Sequence, residues 1–326
     1  MIDRIVEVST PARLSVRDAQ LVIEKPEAGQ LSLPFTTPVS EIAVLLLSHP
    51  QIVLSQAVLS RIAEIGGSVI TIDGKFLPAS ILLPIQAHFL QTERFAKQMQ
   101  ISLPARKRLW QQIIRAKIKA QGEILRELHG SDAGLVAMSA RVRSGDTGNL
   151  EAQASRRYWS LIFGDPKFRR GSEGPDQNRH LDYGYTVLRA AVARALCAAG
   201  LHPSIGLRHK NRYDAFCLAA DVMEPFRPLI DRRAAQWIQE HDPAGPLDPP
   251  AKNWLIGAVT ARYIFEREER SLFDILLRTA NSLAKCMTGE ASEITIPLLL
   301  EPCLEMVRDR RPVQSVKPNV VSEEVG

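Results

Sequence analysis

At 326 residues, 45% hydrophobic and 24% charged, the chain has the composition of a folded protein of one large or two ordinary domains, which excludes a disordered chain. A formal charge of +5 favours a polyanionic partner without requiring one. The four cysteines, Cys197, Cys217, Cys286 and Cys303, are scattered with no Cys-x-x-Cys spacing, which excludes a disulfide framework and the usual structural zinc sites.

Residues 1–84 read as a small β-rich domain. Ile5 to Val8, Ala12 to Val16 and Gln20 to Glu24 have strand composition, with a short turn at Asp18 between the last two, a hairpin pattern. Ile42 to Leu47 is a continuous apolar run suited to a buried strand, and Gln56 to Ile65 has helical spacing before Gly66-Gly67. Val69 to Ile72 with Asp73-Gly74 begins another hairpin, in which Asp73 is a turn residue.

From His88 the pattern changes to a period of 3.6, so residues 92–310 are expected to form a larger all-α domain, giving an α+β protein. Pro104 to Leu128 is the clearest helix, with an apolar stripe through Trp110, Ile113, Ile114, Ile118, Ile124, Leu125 and Leu128. At about 100° per residue, Arg108, Arg115, Lys119 and Arg126 fall within roughly 20° of one line on the opposite face, a ridge suited to a phosphate backbone or simply to water. Lys117 falls inside the apolar face and is expected to snorkel at its edge.

Arg141 to Gly148 reads as a loop, and Asn149 is expected to cap a helix from Leu150 to Phe163. Glu151 then lies in the first turn, where the helix dipole favours an acid whatever its function. Further helices are expected over Tyr185 to Ala199, closed by Gly200, over Trp254 to Arg270, Ser271 to Met287 and Pro297 to Arg310, and residues 311–326 are expected to form a flexible tail. No apolar run reaches membrane-spanning length and the N-terminus has no signal-peptide pattern, so no membrane association and a cytoplasmic location are expected.

The most informative stretch is Gly206 to Pro228. Ala215 to Met223 is nearly all apolar, yet Asp221 and Glu224 sit at its C-terminal end, where the dipole disfavours negative charge. A carboxylate removed from water needs compensation from a neighbouring Arg, a shared proton or a metal ion. Three residues apart on a helix, the two acids share a face at about 5–6 Å, a separation one cation can bridge. His209 lies on the loop before the helix, for which Asp214 or Asn211 is a plausible cap, and Pro225 and Pro228 break or kink its far end. The competing reading is a structural cluster in which both acids pair with Arg227, Arg232 or Arg233.

The run from His209 through Asn211-Arg212-Tyr213 and Ala215-Phe216 to Asp221, Met223-Glu224-Pro225-Phe226-Arg227-Pro228 resembles the CRISPR-associated integrase family, the adaptation proteins that insert new spacers into CRISPR arrays. Asp182 to Ala191, Ala199 to Pro203, Asn149 to Ala152 and Tyr158-Trp159 are similar to further motifs of that family, in the branch that accompanies single-protein effector nucleases. Arg208 and Ala220 depart from the pattern that many relatives have. The resemblance implies that Glu151, His209 and Glu224 bind a divalent metal and are catalytic, with Asp221 an acid beside them and Lys210, Arg212 or Arg227 as auxiliary phosphate clamps. A His-plus-carboxylate set suits Mg²⁺ or Mn²⁺. The implied reaction joins the 3′-OH of a protospacer strand to a CRISPR repeat in double-stranded DNA. The implied partners are a second copy of the chain, contacted through the β domain, and a small ferredoxin-like CRISPR adaptation protein. Tyr183 and Tyr185 either position DNA or are plain core aromatics. The alternatives are a metal-dependent nuclease that uses water and a non-catalytic DNA-binding scaffold.

Overall fold

The computed structural model describes residues 4–25, 34–72, 78–86, 88–165, 167–171, 177–297 and 300–303. It divides after Pro84 into two compact units. The turn at Asp73-Gly74 and the tail from 311 lie outside the described residues.

The first unit holds β1 (Arg4–Val8), β2 (Ala12–Arg17), β3 (Gln20–Glu24), β4 (Phe35–Pro38), β5 (Ile42–Leu47), β6 (Ile52–Leu54), helix α1 (Gln56–Glu64), β7 (Ser68–Ile72) and β8 (Pro78–Leu82). One sheet has the order β1-β5-β7-β8, parallel except for the β7-β8 pair, and the other the order β4-β3-β2-β6. Asp18 and Ala19, both at positive φ, make the two-residue turn that joins β2 to β3. Every residue of β5 is buried, as befits a strand covered on both faces. Leu14, Leu21, Ile23, Leu45, Val58 and Ile62 form the centre of this unit's core.

The second unit is built on helices α2 (Gln91–Gln100), α3 (Leu103–His129), α4 (Leu135–Ala140), α5 (Leu150–Trp159), α6 (Gln177–Ala198), α7 (Cys217–Met223), α8 (Arg227–Glu240), α9 (Pro249–Thr260) and α10 (Leu272–Thr288). Ser102 caps α3 by accepting from the Ala105 amide, and Gly130 closes it in the left-handed region at φ 74°. Helix α6 is the hub against which α7, α8, α9 and α10 pack. Its small residues permit close approach: a Cβ on Gly184 would stand only 2.4 Å from Ile230 Cγ2 of α8. It begins at Gln177, two turns before the start expected from periodicity, because Asn178 fastens this end by bonding the carbonyl of Arg169 and the amide of Gly171.

The unit is not purely helical. Where one helix was expected over 254–270, α9 ends at Thr260 and a hairpin follows, β9 (Arg262–Phe265) and β10 (Glu268–Ser271), with β11 (Glu301–Pro302) on the other side of β9. Tyr263 and Phe265 are buried while Ile264 between them is half-exposed, a period of two hidden by the neighbouring charges. Glu266 and Arg267 both adopt positive φ and reverse the chain. The expected helix over 297–310 is likewise replaced at Glu301–Pro302 by a strand, and most of the rest of it lies outside the described residues.

Candidate active site

Four segments of the helical unit converge on one cluster. Helix α3 contributes Lys117 from mid-helix, on the face it shares with Ile113, Ile114 and Ile118. Lys117 is not an edge residue: it is buried, and its Nζ stands 2.8 Å from Glu151 Oε1 and 2.6 Å from Glu224 Oε2. Burial would push this ammonium's pKa down, but the charges of Glu224 and Glu151 outweigh it and hold the group above its ordinary value.

Glu151 is placed by the start of α5. The capping group is not Asn149, which has positive φ and makes no side-chain cap, but Asp146, whose carboxylate accepts from the amides of Leu150 at 2.9 Å and Glu151 at 3.0 Å. Glu151 is therefore free of capping duty and reaches Lys117.

Glu224 sits at the joint between α7 and α8. Pro225 and Pro228 kink this joint without ending the helix: a single 3₁₀ turn, Glu224–Phe226, leads directly into α8. Glu224 is only 4% exposed, and its Oε1 lies 3.1 Å from Arg227 Nε. Burial raises its pKa, yet Arg227 and then Lys117 bring it below the ordinary value, so it remains a carboxylate. Arg227 in turn lies over the ring of Tyr185, 4.7 Å from its centroid. The Tyr185 hydroxyl donates to Asp231, as does that of Tyr158 at 2.9 Å, so both phenols hold a buried acid behind the cluster.

Asp221 is fully buried and organises the loop before α7. Its Oδ2 accepts from the amides of Leu207 at 2.6 Å and Arg208 at 3.0 Å, and its Oδ1 from the amide of His209 at 3.2 Å. The same Oδ1 lies 2.6 Å from His209 Nδ1. Gly206 makes this wrapping possible, since a Cβ there would fall 2.5 Å from the His209 carbonyl and 2.9 Å from Asp221 Oδ2. The edge-to-face contact of His209 with Trp110 of α3, at 5.9 Å between ring centroids, fixes the imidazole from the other side. The hydrogen bond to Asp221, opposed by burial and aided by the charges of Asp221, Glu224 and Glu151, raises the His209 pKa above its ordinary value.

The acids at the end of α7 are thus not bridged by one cation. Asp221 turns to the His209 loop, and Glu224 shares Lys117 with Glu151. Of the arginines considered as partners, Arg227 pairs with Glu224, Arg232 pairs with Glu127 and Arg233 lies over Trp254. Lys210 and Arg212 are exposed on the His209 loop, with Arg212 over the ring of Tyr213. Among the described residues no three His, Cys, Asp or Glu side chains are close enough together to hold a metal as they stand. The chemistry of the donor set fits one nonetheless: the carboxylates of Glu151 and Glu224, the latter with a buried Oε2 that makes an ion pair but no aligned hydrogen bond, and the His209 imidazole, whose Nδ1 is already engaged.

The basic ridge on α3 is not uniform. Arg115 donates to the carbonyls of Val142 at 3.1 Å and Ala140 at 3.4 Å, and Arg126 pairs with Glu123 and Asp132. Arg108, exposed, and Lys119, half-buried, have no such partner among the described residues. Sequence reasoning missed Lys117 and Asp146. The signal for the first was a lone cation inside an apolar stripe.

The family model described as CRISPR associated protein Cas1 matches residues 6–243. A CRISPR-associated endonuclease Cas1 of Neisseria meningitidis serogroup C (strain 8013) is 34% identical over 297 residues, covering 90% of this chain and 95% of the relative. Among solved structures, a casposase bound to integration product superposes with a TM-score of 0.72 at 16% identity, covering 89% of this chain and 92% of that one. A Cas6-RT-Cas1–Cas2 complex superposes with a TM-score of 0.67 at 18% identity, covering 90% of this chain and 36% of that one. With the family match spanning most of the chain, and with Glu151, His209 and Glu224 held in the cluster just described, the chain belongs to the Cas1 family of CRISPR-associated proteins.

Proposed function

We propose that this chain is a divalent-metal-dependent DNA endonuclease and integrase of CRISPR adaptation, which joins protospacer 3′-OH ends to the CRISPR repeat by transesterification. The observation that carries the reading is that Glu151 and Glu224, from distant parts of the chain, meet on Lys117, with the Asp221-held His209 near enough for both glutamates' charges to act on it. Family membership and the relative's name as an endonuclease support it, and the casposase in complex with its integration product supports joining rather than cutting alone.

Glu151, His209 and Glu224 would hold the ion. Mg²⁺ or Mn²⁺ bound there supplies stabilisation of charge on the phosphoryl group and lowers the pKa of an attacking hydroxyl. Asp221 accepts the Nδ1 proton of His209, which keeps the imidazole in one tautomer and leaves Nε2 as the ligand nitrogen. Arg227 balances Glu224, while Lys210 and Arg212, on the exposed loop that carries His209, are available to phosphate oxygens. In the joining step the donor 3′-oxygen bonds to a repeat phosphorus as that phosphorus releases its bridging oxygen. One phosphodiester replaces another, so no outside energy source is needed.

Double-stranded DNA is the substrate in this reading, a second copy of the chain and a small ferredoxin-like adaptation protein are the partners, and the cytoplasm is the place of work. The Cas1–Cas2 assembly among the structural neighbours supports the second partner. A water-using nuclease is favoured by the relative's name, and a non-catalytic scaffold by the pairing of both glutamates with Lys117.

The test follows a labelled donor duplex with a free 3′-OH, mixed with a repeat-containing target, on a denaturing gel. Joining lengthens the labelled strand, requires metal and stops with a 3′-dideoxy end. Label moving only to shorter products, whatever the 3′ end, establishes water as the nucleophile. Equal DNA binding with chelator and no strand chemistry at all establishes the scaffold.

A further inference from the structure

The cation at the centre of the cluster belongs to the protein. Lys117 Nζ lies within ion-pair distance of Oε1 of Glu151 and Oε2 of Glu224, with the Lys117 side chain 11% exposed and that of Glu224 5%. With Arg227 on the other oxygen of Glu224, two carboxylates face one ammonium and one guanidinium, and the group is electrically neutral without any metal. Neutrality is what allows Glu224 to be buried, since an unpaired carboxylate there would be strongly unfavourable.

A divalent ion added to this arrangement would meet an ammonium on the two oxygens it needs. The seat would carry a net charge of plus two, where Lys117 and Glu224 are buried and the side chain of Glu151 is 28% exposed, and like charges repel more strongly there than in open water. The ammonium and the metal therefore exclude one another. Lys117 is also built to move: its charge sits on a flexible four-carbon stem, whereas α3, which carries it, is a long helix capped at both ends.

We propose that Lys117 is the resident counter-ion of the Glu151–Glu224 seat, that a divalent metal binds by displacing its ammonium, and that Lys117 thereby sets the protein's metal affinity. The inference rests on the metal reading of the site given above. It makes Lys117 a positioning residue for the metal-free state and a competitor for the metal-bound one. Holding the two glutamates together without metal, it prevents their mutual repulsion from opening the joint between α7 and α8.

Calorimetric titration of the full-length, DNA-free protein with Mn²⁺ tests this, comparing the parent with Lys117→Met and with Lys119→Met, which removes a charge from the same helix outside the seat. Displacement predicts that Lys117→Met binds Mn²⁺ about tenfold more tightly, a change of about 1.4 kcal/mol, and that Lys119→Met matches the parent. It also predicts that Lys117→Met melts below the parent in chelator and recovers in Mn²⁺. Equal or weaker binding by Lys117→Met, while the parent binds, overturns the proposal and leaves the metal reading intact. Mn²⁺ binding to none of the three overturns both. Should Lys117→Met not fold, acetylation of the parent read by mass spectrometry decides: Lys117 protected in chelator and labelled in Mg²⁺ supports displacement, and protection unchanged by Mg²⁺ overturns it.

Discussion

Asp221 accepts from three consecutive amides and from the His209 ring, so one buried carboxylate sets both the path of a loop and the orientation of a candidate ligand. Asp221→Asn replaces one acceptor oxygen by a donor that faces other donors. We expect it to cost about 2 kcal/mol in urea denaturation and to weaken Mn²⁺ binding roughly 10–100-fold by calorimetry. His209→Ala should weaken binding comparably with little loss of stability, because the three amides stay bonded.

Asp231 is the second instructive residue. Burial pushes its pKa from the usual 3.8 to about 6, against the hydrogen bonds from Tyr185 and Tyr158 and the charge of Arg227. A pKa raised on folding means that the folded state binds the proton more tightly, so this group's contribution is complete below pH 3.8 and is lost as pH rises to about 6. The full change is about 3 kcal/mol. The stability difference between the parent and Asp231→Asn should therefore shift against the parent from pH 4 to 6 and stay level above. A difference independent of pH across that window would show that Asp231 titrates normally.

At the scale of elements, α3 has two faces, an apolar one that holds Lys117 and a basic one. The stripe and the ridge follow from the helical repeat, but a repeat cannot say which cations already have partners. Among the described residues Arg115 bonds the carbonyls of Val142 and Ala140 and Arg126 pairs with Glu123 and Asp132, while Arg108 and Lys119 have no such partner. Replacing Arg108 and Lys119 together by Gln should reduce the slope of log K for DNA against log salt by roughly 0.9 per lost contact, without lowering the melting temperature. Arg115→Ala should instead cost about 1 kcal/mol of stability through the freed carbonyls of Val142 and Ala140. The hairpin of β9 and β10 teaches the same lesson. Its four-residue strands are too short to declare a period against flanking charges, and the turn at Glu266 and Arg267 lacks the Gly or Asn that usually marks one.

At the scale of the whole molecule, the β unit and the helical unit each have their own core, and all of the candidate ligands belong to the second. A ligand that binds only the folded state stabilises it by about 2.7 kcal/mol at a hundredfold excess over Kd. With Mn²⁺ in that excess, hydrogen exchange should slow in α3, α5 and residues 206–226, remain unchanged in β5 and β7, and show no metal effect in Glu224→Ala. Equal slowing in both units would place the metal elsewhere.

The sequence by itself determined the α+β class, the β2–β3 hairpin, the helices α3 and α10, and the family, because hydrophobic period and motif spacing are local properties written along the chain. It also marked Glu151, His209 and Glu224 through the family motifs, although local chemistry alone made Glu151 a capping residue. Only the tertiary structure decided that Asp146 does the capping, that Asp221 serves the His209 loop rather than sharing a cation with Glu224, and that Lys117 lies between two glutamates 34 and 107 positions further along the chain. The reason is physical. A buried charge is tolerated only beside its complement, and which complement stands beside it is fixed by helix packing between segments that no local window contains.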